Sequence, residues 1–226
     1  VILVLGGTST ARGVIENLMD KDFTVTVATE YGEREFRAKY PENVMRVRFT
    51  SETLENFIKN KHVTEIIDAT HPHAAEITAI AKTAAEKCGI AYTDMVRKTE
   101  AAEEDAHVFR GYEQAAAFLK DRSFSRILFT IGSNNIHFFS GLTASSYVRV
   151  LPFEKSIEKC VEAGFERSRI IAMQGPFSAE FNAALCRELE IDCLVTKNSG
   201  EGSGFREKQV ACRTLGISFV VINPPE

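Results

Sequence analysis

The chain has 226 residues, a formal net charge of −4, 44% hydrophobic residues and 26% charged residues. These values suit a folded globular protein of one large or two small domains, and the acidic balance argues against a nucleic-acid partner. Apolar runs such as Val220-Val221-Ile222 are far too short to cross a bilayer, so no membrane partner is expected.

No charged-then-apolar leader precedes the first strand-like run, and the expected location is cytoplasmic. Five cysteines (Cys88, Cys160, Cys186, Cys193 and Cys212) form no C-x-x-C pair and read as buried reduced thiols.

In chain order, "VILVL" predicts a first strand. Ala11, Val14, Ile15, Leu18 and Met19 then recur at helical spacing. "FTVTVAT", rich in β-branched residues, is a second strand and "VMRVRF" a third. A helix carrying Leu54, Phe57 and Ile58 follows, started by Ser51 with Glu52 and Glu55 in its first turn. "EIIDAT" is a fourth strand. The next helix carries Ile77, Ile80, Ala81, Ala84, Ala85 and Cys88, and is closed by Gly89. "IAYTDM" supplies a fifth strand.

The charge-rich stretch "RKTEAAEEDAHVFRG" then interrupts the pattern. After a short helix near residues 113–120, "RILFTIG", "SYVRVLP", "RIIAM", "CLVT" and "ISFVVI" read as further strands. Helices between them carry Ile157 and Val161, then Phe181, Ala184, Leu185 and Leu189, then Val210, Ala211 and Leu215. Such alternation builds parallel sheets with helices on both faces. The expectation is α/β, two lobes over residues 1–100 and 101–226, with a ligand cleft between them at the strand ends.

The unusual residues fall in the loops that follow strands. Gly6-Gly7-Thr8-Ser9 places bare backbone and hydroxyls at a helix N-terminus, where phosphate binds well; a tight turn with a threonine cap is the plain alternative. Glu30 follows Gly6 at roughly the 20-residue spacing that puts an acid on an adenosine ribose. That favours NADH, although Arg34, Arg37 and Lys39 close by would suit the extra phosphate of NADPH. Thr70-His71-Pro72-His73 brings two imidazoles to a strand mouth. No third ligand stands at a companion spacing, so no metal site is expected, and carboxylate binding or proton relay fits better. Gly175-Pro176-Phe177-Ser178 and Lys197-Asn198-Ser199-Gly200 are the equivalent loops of the second half, with Gly132-Ser133-Asn134 a weaker one.

Taken in order, G-G-T, A-T-E-Y-G, D-A-T-H-P-H-A, G-P-F-S and K-N-S-G resemble the precorrin-6A reductase family, including its cobalt-precorrin-6A members, across the whole chain. The resemblance implies two Rossmann-like lobes and hydride transfer from NADH or NADPH to a precorrin-6A-type tetrapyrrole in cobalamin biosynthesis. It implies cofactor contacts at Gly6, Gly7, Thr8, Ser9, Glu30, Tyr31 and Thr70. Substrate contacts are implied at Arg12, His71, His73, Gly175, Ser178, Lys197, Ser199 and Gly200. The family's acidic residue after G-G-T-x is here Thr10.

A poly-carboxylate ring asks an acidic protein for local bases, and Arg97, Lys98, Arg149 and Lys208 join Arg12, His71, His73 and Lys197 as candidates. His71 is the expected proton donor, with bulk water its competitor. The alternatives are a two-lobed tetrapyrrole lyase of the uroporphyrinogen-III synthase type and a nucleotide-sensing protein without catalysis. The sequence sets no oligomeric state.

Overall fold

The structure, a computed structural model, describes residues 1–224. It divides into two units, Val1–Arg97 and a second that begins at Lys98.

The first unit alternates strand and helix throughout: β1 (Ile2–Leu5), α1 (Ser9–Glu16), β2 (Phe23–Val27), α2 (Glu30–Arg37), β3 (Val44–Arg46), α3 (Ser51–Asn60), β4 (Glu65–Asp68), α4 (Ala75–Cys88) and β5 (Ala91–Asp94). The strands form one parallel sheet in the order β3-β2-β1-β4-β5. Period-two side-chain direction divides its apolar residues between two layers. Val4, Val25, Val27 and Ile67 pack with Ala11, Val14 and Ile15 of α1. Leu3, Leu5 and Ile66 face Leu54 and Ile58 of α3 and Ala81, Ala84 and Ala85 of α4. A sheet buried on both faces explains why its central strands read as unbroken apolar runs.

Helix ends follow local chemistry. α4 ends at Gly89 in the left-handed region (φ 65°), as the sequence indicates. α3 corrects the sequence reading: its cap is Thr50, not Ser51. Thr50 and Thr53 exchange side-chain and backbone hydrogen bonds in a capping box, and Ser51 is the first helical residue.

The second unit contains β6 (His107–Phe109), α5 (Tyr112–Asp121), β7 (Ile127–Thr130), β8 (Tyr147–Val150), α6 (Glu154–Glu162), β9 (Ile170–Ala172), α7 (Ala179–Glu188), β10 (Cys193–Lys197), α8 (Phe205–Leu215) and β11 (Ser218–Ile222). Its parallel sheet runs β6-β11-β10-β7-β8-β9. Phe129, Ile131, Val148, Val195 and Val220 meet α5 and α6 on one face. Leu128, Leu194, Phe219 and Val221 meet α7 and α8 on the other.

Two departures stand out here. The charge-rich stretch contains β6, a three-residue edge strand hidden by its polar neighbours. That stretch is also fastened down, because Asn198 bonds both backbone groups of Glu100 and Gln209 accepts from the Glu103 N–H. Second, α7 buries Asn182, Ala183 and Cys186, while Ala184 of the expected stripe faces solvent. The Asn182 amide donates to the carbonyls of Phe177 and Ser178, which holds it inward at the helix start.

Candidate functional site

In open parallel sheets, ligands sit at the carboxyl ends of the strands where the strand order reverses. In the first sheet β2 and β3 lie to one side of β1, and β4 and β5 to the other. The reversal therefore falls between β1 and β4. The loops leaving these two strands are Gly6-Gly7-Thr8 and Ala69-Thr70-His71, the two that the sequence singles out.

Thr8 joins them. Its hydroxyl donates to the Ala69 carbonyl at 2.7 Å and accepts from the Ala11 N–H as the N-cap of α1. Gly6 and Gly7 serve different ends. A Cβ on Gly6 would stand 2.7 Å from the Val25 side chain and 3.3 Å from the Thr26 carbonyl, so Gly6 lets the chain pass close to β2. Gly7 has φ of +107°, and nothing lies within 4 Å of where its Cβ would be, which leaves its outer side open. Beside it, the Arg97 guanidinium donates to Thr10 Oγ1 at 2.9 Å and to Ser9 Oγ. Burial draws the Arg97 guanidinium below its ordinary value. A cation, two hydroxyls and free helix N–H groups thus gather at one helix start, the donor set a phosphate needs.

The β4 end is built on Asp68, a wholly buried residue. One carboxylate oxygen accepts from the Thr70 N–H at 3.0 Å and the Thr70 hydroxyl at 2.7 Å. The other accepts from the Thr78 hydroxyl at 2.7 Å and the Tyr92 hydroxyl at 2.9 Å. Burial and the Asp68 carboxylate raise the Tyr92 phenol far above its ordinary value, so it stays a donor. This clamp fixes Thr70 and therefore where His71 begins. His71 Nδ1 accepts from the His73 N–H at 3.1 Å, which places the proton of a neutral ring on Nε2. Among the described residues no three His, Cys, Asp or Glu side chains gather as a metal set.

Other predicted residues are engaged differently. Glu30 is the first residue of α2 rather than the end of β2, with Thr29 as cap. Its carboxylate lies 3.0 Å from Arg34 and 3.8 Å from Arg46, so the expected ribose acid and two bases form one ion-paired group. Tyr31 follows it on α2, partly buried. Arg12 turns away to Glu35 at 2.7 Å, an exposed pair on α1 and α2.

In the second sheet the reversal falls between β7 and β10. Gly132 (φ +76°) follows β7, and Lys197 ends β10. Asn198 and Ser199 are buried, and Gly200 sits at φ +74°. Ser178 caps α7 by accepting from the Phe181 N–H at 3.2 Å. A Cβ on Gly175 would come within 3.0 Å of the Phe177 ring, and one on Gly204 within 3.3 Å of Pro176, so the G-P-F-S turn rests on the start of α8. Above that turn Arg149 of β8 lies 4.5 Å from the Phe177 ring centroid. Arg149 and Lys208 are each 8% exposed. A separate pocket of about 260 Å³, lined by Glu100, Ala101, Phe205, Arg206 and Gln209, holds none of the predicted residues.

Sequence reasoning missed Asp68 and its partners Thr78 and Tyr92. The available signal was an acid closing an otherwise apolar strand, "EIID". The sequence marks Arg97 only as one of several cations for the carboxylates of the ring, with no sign of its hydroxyl partners Ser9 and Thr10.

Parallel sheets with helices on both faces, and glycine or hydroxyl loops at each reversal point, define a Rossmann-like α/β protein. The family model for precorrin-6x reductase CbiJ/CobK matches residues 1–226, and the chain belongs to that family, oxidoreductases of cobalamin biosynthesis. It is 33% identical to the cobalt-precorrin-6A reductase of Priestia megaterium, over 100% of this chain and 91% of that protein. It is also 33% identical to the precorrin-6A reductase of Rhodococcus erythropolis, over 99% and 89% respectively. Among solved structures, CobK precorrin-6A reductase superposes with a TM-score of 0.80 at 25% identity, covering all of this chain and 88% of that one. No helix among the described residues is long and apolar enough to cross a membrane.

Proposed function

We propose that this chain reduces a precorrin-6A-type macrocycle in its cobalt-bound form, using a reduced nicotinamide dinucleotide held by the first unit. The observation that carries the cofactor half is the Arg97–Ser9–Thr10 group at the start of α1, beside the open side of Gly7. That donor set suits a diphosphate, and Gly6, Thr8 and Thr70 hold the loops that present it. When bound, the nicotinamide supplies the hydride.

The chain's own residues bind, orient and hold a proton. Thr8 and Asp68 keep the β1 and β4 loops in register. His71 holds a proton at Nε2 for delivery to the ring, and His73 steadies it through its N–H. Lys197, with Ser199 and Gly200, and the turn at Gly175 and Ser178 receive the macrocycle in the second unit. The predominance of cobalt-precorrin names among the relatives supports the cobalt-bound form. The family leaves no role for the lyase or sensor alternatives. A cytoplasmic location fits a biosynthetic enzyme of this kind.

Glu30 carries the lean toward NADH, yet its partners Arg34 and Arg46 are the groups a 2′-phosphate would seek. Anaerobic assays of cobalt-precorrin-6A and its metal-free form, each with NADH and NADPH, test the proposal. Turnover of the cobalt form supports it, with a lower KM for NADH than for NADPH. No nucleotide oxidation with either macrocycle overturns it.

A further inference from the structure

The second unit gathers three cations for which the described residues offer no hydrogen-bonded or ion-paired acid. Arg149 leaves the sheet on β8 toward the face covered by α7 and α8, where its guanidinium meets Phe177. Its Nη1 atom is buried without a hydrogen-bond partner. Lys208 lies on α8 one turn after Gly204, whose carbonyl accepts the Lys208 N–H at 3.3 Å. Lys197 closes β10 at the strand-order reversal. The Lys208 ammonium feels the positive charge of both Arg149 and Lys197.

Like charges brought together out of water are unfavourable, and Arg149 and Lys208 forfeit hydration with no acid hydrogen-bonded to either among the described residues, although Glu207 and Glu100 act on Lys208 from a distance. Lys and Arg are rarely so buried unless a partner of opposite charge meets them. We propose that Arg149, Lys197 and Lys208 form the receptor for one side-chain carboxylate of the macrocycle. This assignment rests on the reductase reading above. It extends the substrate contacts beyond Lys197 and gives the three bases one shared task.

The neighbourhood favours a carboxylate on an apolar body over a nucleotide phosphate. Leu151 and Met173 follow β8 and β9, the Met173 N–H donates to the Val150 carbonyl, and the two residues are 40% and 39% exposed. With Phe177 they set apolar surface beside the cations, as a methylated ring requires. Arg149 can offer two parallel donors to a carboxylate.

The linked proton follows from the surroundings. Burial, then Arg149, lowers Lys208 to about 7, with Lys197 adding to the effect. Glu207 and Cys212 on the same helix oppose it. Cys186 of α7 faces Arg149, and Asp105 acts on Cys212. Burial alone lowers Lys197 to about 8. An arriving anion restores the ammonium form, so binding near neutral pH takes a proton from the buffer.

Calorimetric titration of the whole protein with glutarate, a short dicarboxylate, at pH 7.5 in two buffers of different ionisation enthalpy tests this. The expected result is saturable binding with net proton uptake, lost in Lys208→Met and in Lys197→Met. In kinetics, Lys208→Met and Arg149→Met raise KM for the macrocycle at least tenfold and change KM for the nucleotide less than twofold. Folding of each variant is checked by circular dichroism, and Lys208→Met is expected to melt higher than wild type. Glutarate binding that persists in the folded variants overturns the assignment. So does a rise in nucleotide KM instead, which would make the anion a nucleotide phosphate. If the macrocycle is never reduced, the reductase reading fails, and the glutarate titration still decides whether the three cations receive a carboxylate.

Discussion

The Thr8 hydroxyl and the Ala69 carbonyl meet at 2.7 Å across 61 residues of chain, and this bond couples the two loops at the strand reversal of the first sheet. Because the same oxygen caps α1, one side chain fixes both where the helix begins and how far the D-A-T-H-P loop stands from it.

Thr8→Val therefore removes a cap and an inter-loop bond together. It should cost about 1–2 kcal/mol in urea unfolding and raise KM for the nucleotide several-fold. A cap without an organising role would cost stability and leave KM where it is.

Asp68 accepts four hydrogen bonds while wholly buried. Asp68→Asn replaces one accepting oxygen by a donor and leaves the Thr78 or Tyr92 hydroxyl facing it, at a cost of about 1–3 kcal/mol. Tyr92→Phe removes a single donor and should cost about 0.5–1.5 kcal/mol. In a double-mutant cycle the two changes should be non-additive, since they share one contact.

Arg97→Met deletes the cation beside Ser9 and Thr10. A hydrogen bond to a charged group contributes about 1.5–3 kcal/mol, so KM for the nucleotide should rise at least tenfold with kcat little changed. Steady-state kinetics with varied nucleotide decide it, and an unaltered KM removes Arg97 from the cofactor site.

The depressed lysines give stability a definite dependence on pH. Lys208 titrates near 7 when folded and at 10.5 ordinarily, so through that window the unfolded chain binds more protons than the folded one. Stability then rises with pH from 7 upward; below about 7 both states are protonated and the burial penalty is complete. Lys197, near 8, acts with the same sign over a narrower range. The melting temperature should climb between pH 6.5 and 8, before the thiols of the unfolded chain ionise near their ordinary 9.0 and the raised thiols of the folded chain begin to oppose the trend, and Lys208→Met should flatten that climb. A wild-type profile that falls over this range would contradict it.

Much of the fold was open to reading in one dimension. Runs such as "VILVL" and "CLVTK" announce strands buried on both faces, and the helical stripes between them force parallel pairing. β6 escaped because three residues at a sheet edge need little apolar character, and α7 was turned because the Asn182 amide binds its own helix start. Glycines in loops marked the strand ends correctly, but periodicity cannot tell a glycine that admits a neighbouring strand, as Gly6 does, from one whose outer side is open, as at Gly7.

Sequence by itself determined the α/β class, the position of the loops at both strand reversals and, through its ordered motifs, the reductase family, because these depend on local periodicity and on residues close along the chain. Only the tertiary structure decided partners: Arg12 goes to Glu35, Arg97 to Ser9 and Thr10, and Asp68 to Tyr92. The physical reason is that hydrogen bonds and desolvation depend on distance in space. Arg149, Lys197 and Lys208 are scattered along the chain, and the mutual repulsion that Lys208 feels from the other two arises only when the sheet and α8 bring them together, with Arg149 and Lys208 buried.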